Sequence, residues 1–309
     1  MSTPTEIDEL YHDWDEVVPV VDVVTHETHE TRPQELIEVR FDPDGFVLSI
    51  PHSGVLVPAQ YADRFPLDET SLVEIDLYSE MIYAPLEGRQ LVSRLAPFFV
   101  DMNRSLNGSD EADAPGHLTN PPQHYYTVAD ELILQRAYSD AEREDVLRYY
   151  HLYHGLLQRL IERMKAERGY GLLIDGHSMT GRGQGRAYDK GARRDNFVVG
   201  TLEGASAHPA ISEAFVGGLE AGIADHGLDL TVATDVPYAG GFITRRHSDP
   251  ANDVHALQVE VTMETYMYEA VDDDVARRYA LKPPRVRIVQ DALRRAIGGA
   301  RAAAERIYR

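Results

Sequence analysis

Residues 139–177 read SDAEREDVLRYYHLYHGLLQRLIERMKAERGYGLLIDGH. Ser139 followed by Glu142 has the S-x-x-E form of a helix capping box, and apolar residues at helical spacing continue from 140 to about 168, where Gly169 supplies a stop. Directly after it, GLLID (171–175) is a short apolar run that reads as a buried strand, with Asp175 and His177 at its end. A helix that delivers the chain into a buried strand is the repeating unit of an α/β layer fold.

The unit recurs on both sides. Toward the N-terminus, FVLSI (46–50) is an apolar run closed by Pro51, His52, Ser53 and Gly54, residues 76–83 suit a helical turn or more, and PFFVDM (97–102) reads as a strand. Toward the C-terminus, FVVGT (197–201), LTVAT (230–234) and ALQVEVT (256–262) read as strands. Pro209 opens a helix that runs to about His226 before Gly227, and Pro283 and Pro284 precede a last helix rich in Ala and Arg. There is no internal repeat or low-complexity linker. The expectation is an α/β fold with a mostly parallel or mixed central sheet flanked by helices, residues 41–309 forming one domain. Residues 1–40 read as an acidic N-terminal extension that holds the single Trp, Trp14, and whose VVPVVDVV stretch (17–24) suits an edge strand.

Composition narrows the function. The 309 residues carry 51 acidic and 30 basic side chains, a formal net charge of −21. Nucleic-acid binding depends on a basic surface, and anionic membranes disfavour an acidic one, so both are excluded as partners. With no cysteine, disulfides, thiolate nucleophiles and Cys-based metal sites are absent, and any metal must be held by His and carboxylates. The first residues, MSTPTEIDELYHDWDE, lack the basic and apolar regions of a signal peptide, and the expectation is a cytoplasmic protein. Three Lys stand among the thirty basic residues (Lys165, Lys190, Lys282), a bias that either a high-salt cytoplasm or a GC-rich genome produces.

In open parallel sheets ligands gather outside the carboxyl ends of the strands, which directs attention to what stands there. His52 in IPHSG and His177 in IDGHSM each follow an apolar strand and would enter one crevice. Imidazole is the natural zinc donor in a Cys-free site, and a catalytic zinc takes three protein ligands. Asp76 and Glu80, four residues apart, would share a helix face and are either a solvated pair or a source of the third ligand. Asp175 suits an outer partner that orients His177. Arg104, after Asp101 and Asn103, offers a fork for a carboxylate or an internal ion pair with Asp101. Glu260 interrupts an apolar strand, either on a solvent face or in the crevice as a base.

Taken in order, IPHSG, DLYSEMIY, VDMNRS, YHLYHGLL, LIDGHSM, FVVGTLEGAS, PYAGGFITRRHSDP and HALQVEVTMETYM resemble the N-formylglutamate amidohydrolase (deformylase) family, whose fold is zinc carboxypeptidase-like (phosphorylase/hydrolase-like). The likeness spans about residues 46–267. It implies hydrolysis of N-formyl-L-glutamate, or a close N-acyl amino acid, to formate and glutamate, the last step of one histidine-degradation route. It also implies Zn2+, or another divalent metal, held by His52, His177 and Asp76, with Glu80 the alternative to Asp76. Glu260 matches the family's general base, and Asn103 and Arg104 match its carboxylate-gripping pair. Tyr238, Gly240 and Gly241 resemble its substrate loop, and His154 matches a family His in either a packing or a catalytic role. Further cations for an anionic substrate are Arg182, Arg186, Arg193, Arg194, Arg245 and Arg246. One position departs from the pattern: three residues after Glu260, where many members have Arg, stands Met263, and Arg182 is a candidate to compensate. Two other readings fit the residues, a carboxypeptidase-like peptidase or deacylase on a larger substrate, and a non-catalytic binder of an acidic metabolite.

Overall fold

The computed structural model describes residues 11, 16–41, 45–106, 132–185, 187–268 and 279–309. Trp14 and Arg186 lie outside the described residues. Ten strands are used here: β1 (Val18–Asp22), β2 (Thr28–Thr31), β3 (Ile37–Arg40), β4 (Val47–Ile50), β5 (Leu56–Pro58), β6 (Arg89–Ser93), β7 (Gly171–Met179), β8 (Phe197–Gly200), β9 (Val232–Thr234) and β10 (Val254–Thr262). The helices needed are α1 (Ser79–Tyr83), α2 (Asp140–Arg168), α3 (Pro209–Ala224), α4 (Phe242–His247) and α5 (Pro283–Tyr308).

Seven strands form the main sheet in the order β3-β6-β4-β7-β10-β8-β9. The central four, β6, β4, β7 and β10, are parallel, whereas β3 runs antiparallel to β6 and β8 antiparallel to β10, so the sheet is mixed. β4, β7 and β8 are buried throughout and β10 is buried from His255 onward, as strands covered on both faces must be. Helix α2 covers one face. It starts on the expected capping box, with Glu142 Oε2 accepting the Ser139 N–H at 2.8 Å and Ser139 Oγ accepting the Glu142 N–H at 3.4 Å. It ends at Gly169, whose φ of +84° is open to glycine without steric cost. On the opposite face Tyr83 of α1 abuts Gly176, and α5 packs against α1 and α3. The α3–α5 contact needs small residues: a Cβ on Gly222 would stand 2.6 Å from Ala292 Cα, and one on Gly218 equally close to Ala296 Cα.

Three local readings change. VVPVVDVV supplies β1, which is the middle strand of a separate three-stranded sheet, flanked by β2 and β5, and not an edge. The residues before 41 thus pair with the chain beyond His52, and β3 belongs to the main sheet. PFFVDM is a buried turn, closed by Phe99 N–H to Ala96 O at 3.0 Å, because Phe98 and Phe99 turn inward onto Phe65 and Tyr61. The strand beside β4 is instead RQLVS, which the sequence reading passed over. Finally, α1 begins only at Ser79, after Tyr78 in a left-handed conformation with φ of 61°, so Asp76 and Glu80 do not share a helix face.

Candidate active site

The carboxyl ends of β4, β7 and β10 meet at a pocket whose walls include His52, Asp76, Asn103, Arg104, His177, Arg194, Tyr238, Gln258, Glu260 and Met263. His177 lies within β7, whose strand continues to Met179, and register places Glu260 of β10 directly beside it. Tyr83 fixes that register from below, its hydroxyl lying 3.0 Å from His177 O and 2.9 Å from Val259 O.

The two imidazoles stand with ring centres 4.7 Å apart, and Asp76 Oδ2 is 3.3 Å from His177 Nδ1 and 3.8 Å from His52 Nδ1. The far nitrogens are engaged by carboxylates: His52 Nε2 donates to Asp101 Oδ1 at 2.6 Å, and His177 Nε2 lies 3.2 Å from Asp175 Oδ2. A proton held on His52 Nε2 leaves its Nδ1 lone pair aimed at the space beside Asp76, the carboxylate–histidine arrangement that orients metal-binding imidazoles, and His177 presents its own Nδ1 to the same space. His52, Asp76 and His177 form a cluster that could hold a metal ion, and donor types and orientations fit a divalent cation. The electrostatics fit as well. Burial works against a charged His177, yet Asp175, Asp76 and Glu260 outweigh it and hold the ring well above its ordinary range, so the surroundings favour positive charge at this point.

Glu260 is buried, accepting from Gln258 Nε2 at 2.8 Å through Oε1, while its Oε2 has no hydrogen-bond partner. Burial, opposed by His177 and assisted by Asp76, pushes its carboxyl up to about 7.

Glu80 stands apart from the pocket, ion-paired with Arg40 (2.6 Å) and with Arg94, which together with Glu38 make a surface network. Asp101, read from sequence as an ion-pair partner of Arg104, does approach Arg104 Nε at 3.4 Å, but its shorter bonds are to His52 and to the Asn103 N–H. Asn103 spans the site, its Nδ2 3.1 Å from His177 Nε2 and its Oδ1 accepting the Ile243 N–H at 2.7 Å. Gly241 backs Asn103, since a Cβ there would collide with the Asn103 side chain, and its N–H donates to Gln258 Oε1. Gly240 and Gly241 therefore shape the wall without lining it. Arg182 points away, Nη1 donating to Gly191 O at 3.1 Å, and Arg245 lies on the exposed side of α4. Among the described residues the guanidinium groups on the pocket wall are those of Arg104 and Arg194. Gln258 went unremarked in the sequence reading, although its place two residues before Glu260 on a strand puts both on one face.

His154 supports the site from behind. Its Nε2 donates to Met102 O at 3.0 Å, so its Nδ1 accepts from His247 Nε2 at 3.0 Å, and Tyr150 OH holds Arg104 O at 2.8 Å. Burial first, then Arg246, pushes His247 down to about 4, and burial and His247 hold His154 well below its ordinary range. A depressed folded-state pKa means that stability is complete above the unfolded value of about 6.5 and is lost as pH falls toward 4. The stability difference between the wild type and His247→Gln should therefore shrink by about 3 kcal/mol between pH 7 and pH 4. Urea midpoints at the two pH values check this, and a constant difference would show that His247 is not held neutral.

The mixed α/β sheet, which gathers a potential metal cluster and a buried carboxylate at its parallel strand ends, is consistent with the zinc carboxypeptidase-like fold that the sequence resemblance implies. The chain belongs to the N-formylglutamate amidohydrolase family, whose sequence profile matches residues 44–267. It is 31% identical over 233 residues to the N-formylglutamate deformylase of Pseudomonas aeruginosa and 27% identical over 228 residues to that of Pseudomonas putida, each alignment covering 72% of this chain and 82% of the relative. The crystal structure of N-formylglutamate amidohydrolase from Ralstonia eutropha superposes with a TM-score of 0.67 at 23% identity, over 86% of this chain and 98% of that one. A gene product of Agrobacterium tumefaciens superposes at 0.59 with 16% identity, over 87% and 96%. Among the described residues no helix is long and apolar enough to cross a membrane.

Proposed function

We propose that the chain hydrolyses the amide of N-formyl-L-glutamate, or of a close N-acyl amino acid, to formate and the free amino acid. The observation that carries this reading is Glu260: a buried carboxyl with one oxygen lacking a hydrogen-bond partner, beside a His52–Asp76–His177 cluster fitted for a divalent cation. Two imidazoles and one carboxylate suit zinc, which would supply a Lewis acid for the formyl oxygen and an acidified water. Glu260 takes a proton through Oε2 from a water as its hydroxyl adds to the formyl carbon, and returns it to the nitrogen as the C–N bond breaks. Asn103 and Arg104 hold the α-carboxylate. Asp101 keeps the Nε2 proton of His52 in place, and Asp175 sets a negative charge beside His177 Nε2. The formyl carbon carries only hydrogen, so the pocket needs little room on the acyl side.

Formate, acetate and ammonia release from N-formyl-, N-acetyl- and N-carbamoyl-glutamate and -aspartate tests the reading. N-formyl-glutamate should be turned over at least tenfold faster than its N-acetyl analogue, and a chelator should abolish release until Zn2+ is restored. Preference for larger acyl groups would favour a deacylase, and turnover of none a metabolite binder.

A further inference from the structure

Met263 stands on the pocket wall at the position where the family likeness leads one to expect arginine. Methionine offers a carboxylate neither charge nor a fork of donors. The adjacent strand brings both to the same place. β8 runs antiparallel to β10, so the segment entering β8 lies beside the segment leaving β10: Val261 pairs with Phe197, and Thr262 N–H donates to Asn196 O at 2.9 Å. Arg194, two residues before Asn196, enters the same pocket as Met263.

Its guanidinium is fixed in advance. Nε and Nη2 donate to the two Asp189 oxygens at 2.7 and 2.9 Å, and the guanidinium carbon lies 5.1 Å from the centre of the Tyr238 ring. Nη1 makes long contacts to Thr180, 3.4 Å to its carbonyl oxygen and 3.3 Å to its hydroxyl. A staple for the loop 181–195 would explain the Asp189 pair alone. It would not explain why the side chain is only 4% exposed, since a buried ion pair loses much of its attraction to desolvation, nor why it stands on the pocket wall. The Nε/Nη2 edge is taken by Asp189, so a carboxylate would meet the second N–H of Nη2 and the loosely held Nη1, on a guanidinium with little side-chain freedom left to lose.

We propose that Arg194, held by Asp189 and Tyr238, forms the subsite for the side-chain carboxylate of an N-acylated dicarboxylic amino acid, supplying the cation absent at Met263. The proposal rests on the amidohydrolase reading above, with Arg104 and Asn103 engaging the α-carboxylate. It is tested by calorimetry on metal-loaded Glu260→Gln protein, which binds without consuming its ligand, using N-formyl-L-glutamate and its neutral isostere N-formyl-L-glutamine. The parent should bind the glutamate compound at least 50-fold more tightly. Adding Arg194→Met should reduce that preference below fivefold, and Arg194→Lys, which keeps the charge and loses the fork, should reduce it at least threefold. Arg104→Met should weaken both ligands alike. Preference retained in Arg194→Met, or in Arg194→Lys should the Met variant fail to fold, overturns the subsite, as does failure of the parent to bind either compound. Loss of preference in Arg194→Met, in a protein whose wild type releases no formate, upholds the subsite and removes the deformylase reading.

Discussion

Glu260→Gln should retain its metal and lose formate release by about 10³-fold. The argument begins with register. β10 runs parallel to β7 with Glu260 beside His177, and Gln258 on the same face donates to Oε1, so the carboxylate cannot turn away. That leaves Oε2 without a hydrogen bond in a buried site, the position a water proton would reach. Burial brings the carboxyl to about 7, where it can accept a proton and give it back at neutral pH, as hydrolysis of an amide requires. Glutamine keeps the shape and the bond to Gln258 but has no basic oxygen to exchange. Because Glu260 is outside the His52–Asp76–His177 cluster, metal content measured by mass spectrometry should stay at the wild-type level. Turnover within tenfold of wild type would place the base elsewhere.

How much of this was legible beforehand depends on range in sequence. The capping box at Ser139, the stop at Gly169 and the buried runs that became β4, β7, β8 and β10 are local signals, and they mark those four strands and set His52 and His177 at strand ends; Glu260 stayed open between a solvent face and the crevice until the register of β10 beside β7 put it on the pocket wall. What was not legible came from distant partners. Glu80 is claimed by Arg40 at the end of β3 and by Arg94 just after β6, and a left-handed Tyr78 separates it from Asp76; no spacing rule registers either. PFFVDM has the composition of a strand, and only the aromatic cluster behind it makes it a turn. The small sheet depends on β5 crossing back to residues 18–22, which no pattern within either segment announces.

The charge of −21 sets a condition that the basic residues meet less fully than expected. A dianionic substrate entering an acidic protein calls for cations in the crevice, yet Arg182 and Arg245 turn outward, and Arg193 is 70% exposed and paired with Glu264 at 3.5 Å. Among the described residues, the arginine charge on the pocket wall is therefore that of Arg104 and Arg194, to which an ion held by the histidines would add. Such short-range attraction acts on the bound ligand more than on its approach, because salt screens charges separated by more than about 8 Å at physiological ionic strength.

His52→Ala and His177→Ala should each bring bound metal to background after dialysis, whereas Asp101→Asn and Asp175→Asn should weaken its affinity by roughly 10–100-fold. The gradient follows from which atoms face the centre. Each histidine presents Nδ1 toward Asp76 Oδ2, so truncation removes a donor; the outer aspartates touch only Nε2 and act by fixing the ring. The two truncations should differ in a second respect. His177 is surrounded by Asp175, Asp76 and Glu260, and its positive charge offsets them in the metal-free protein, so its loss leaves buried carboxylates facing one another. His52 is more open, and its close carboxylate partner is Asp101 at 2.6 Å, with Asp76 farther at 3.8 Å. Metal-free His177→Ala should consequently melt lower than metal-free His52→Ala, while neither gains the rise in melting temperature that added Zn2+ gives the wild type. Full metal content in both variants would move the ion away from this cluster, and with it the reason for Glu260 to stand where it does.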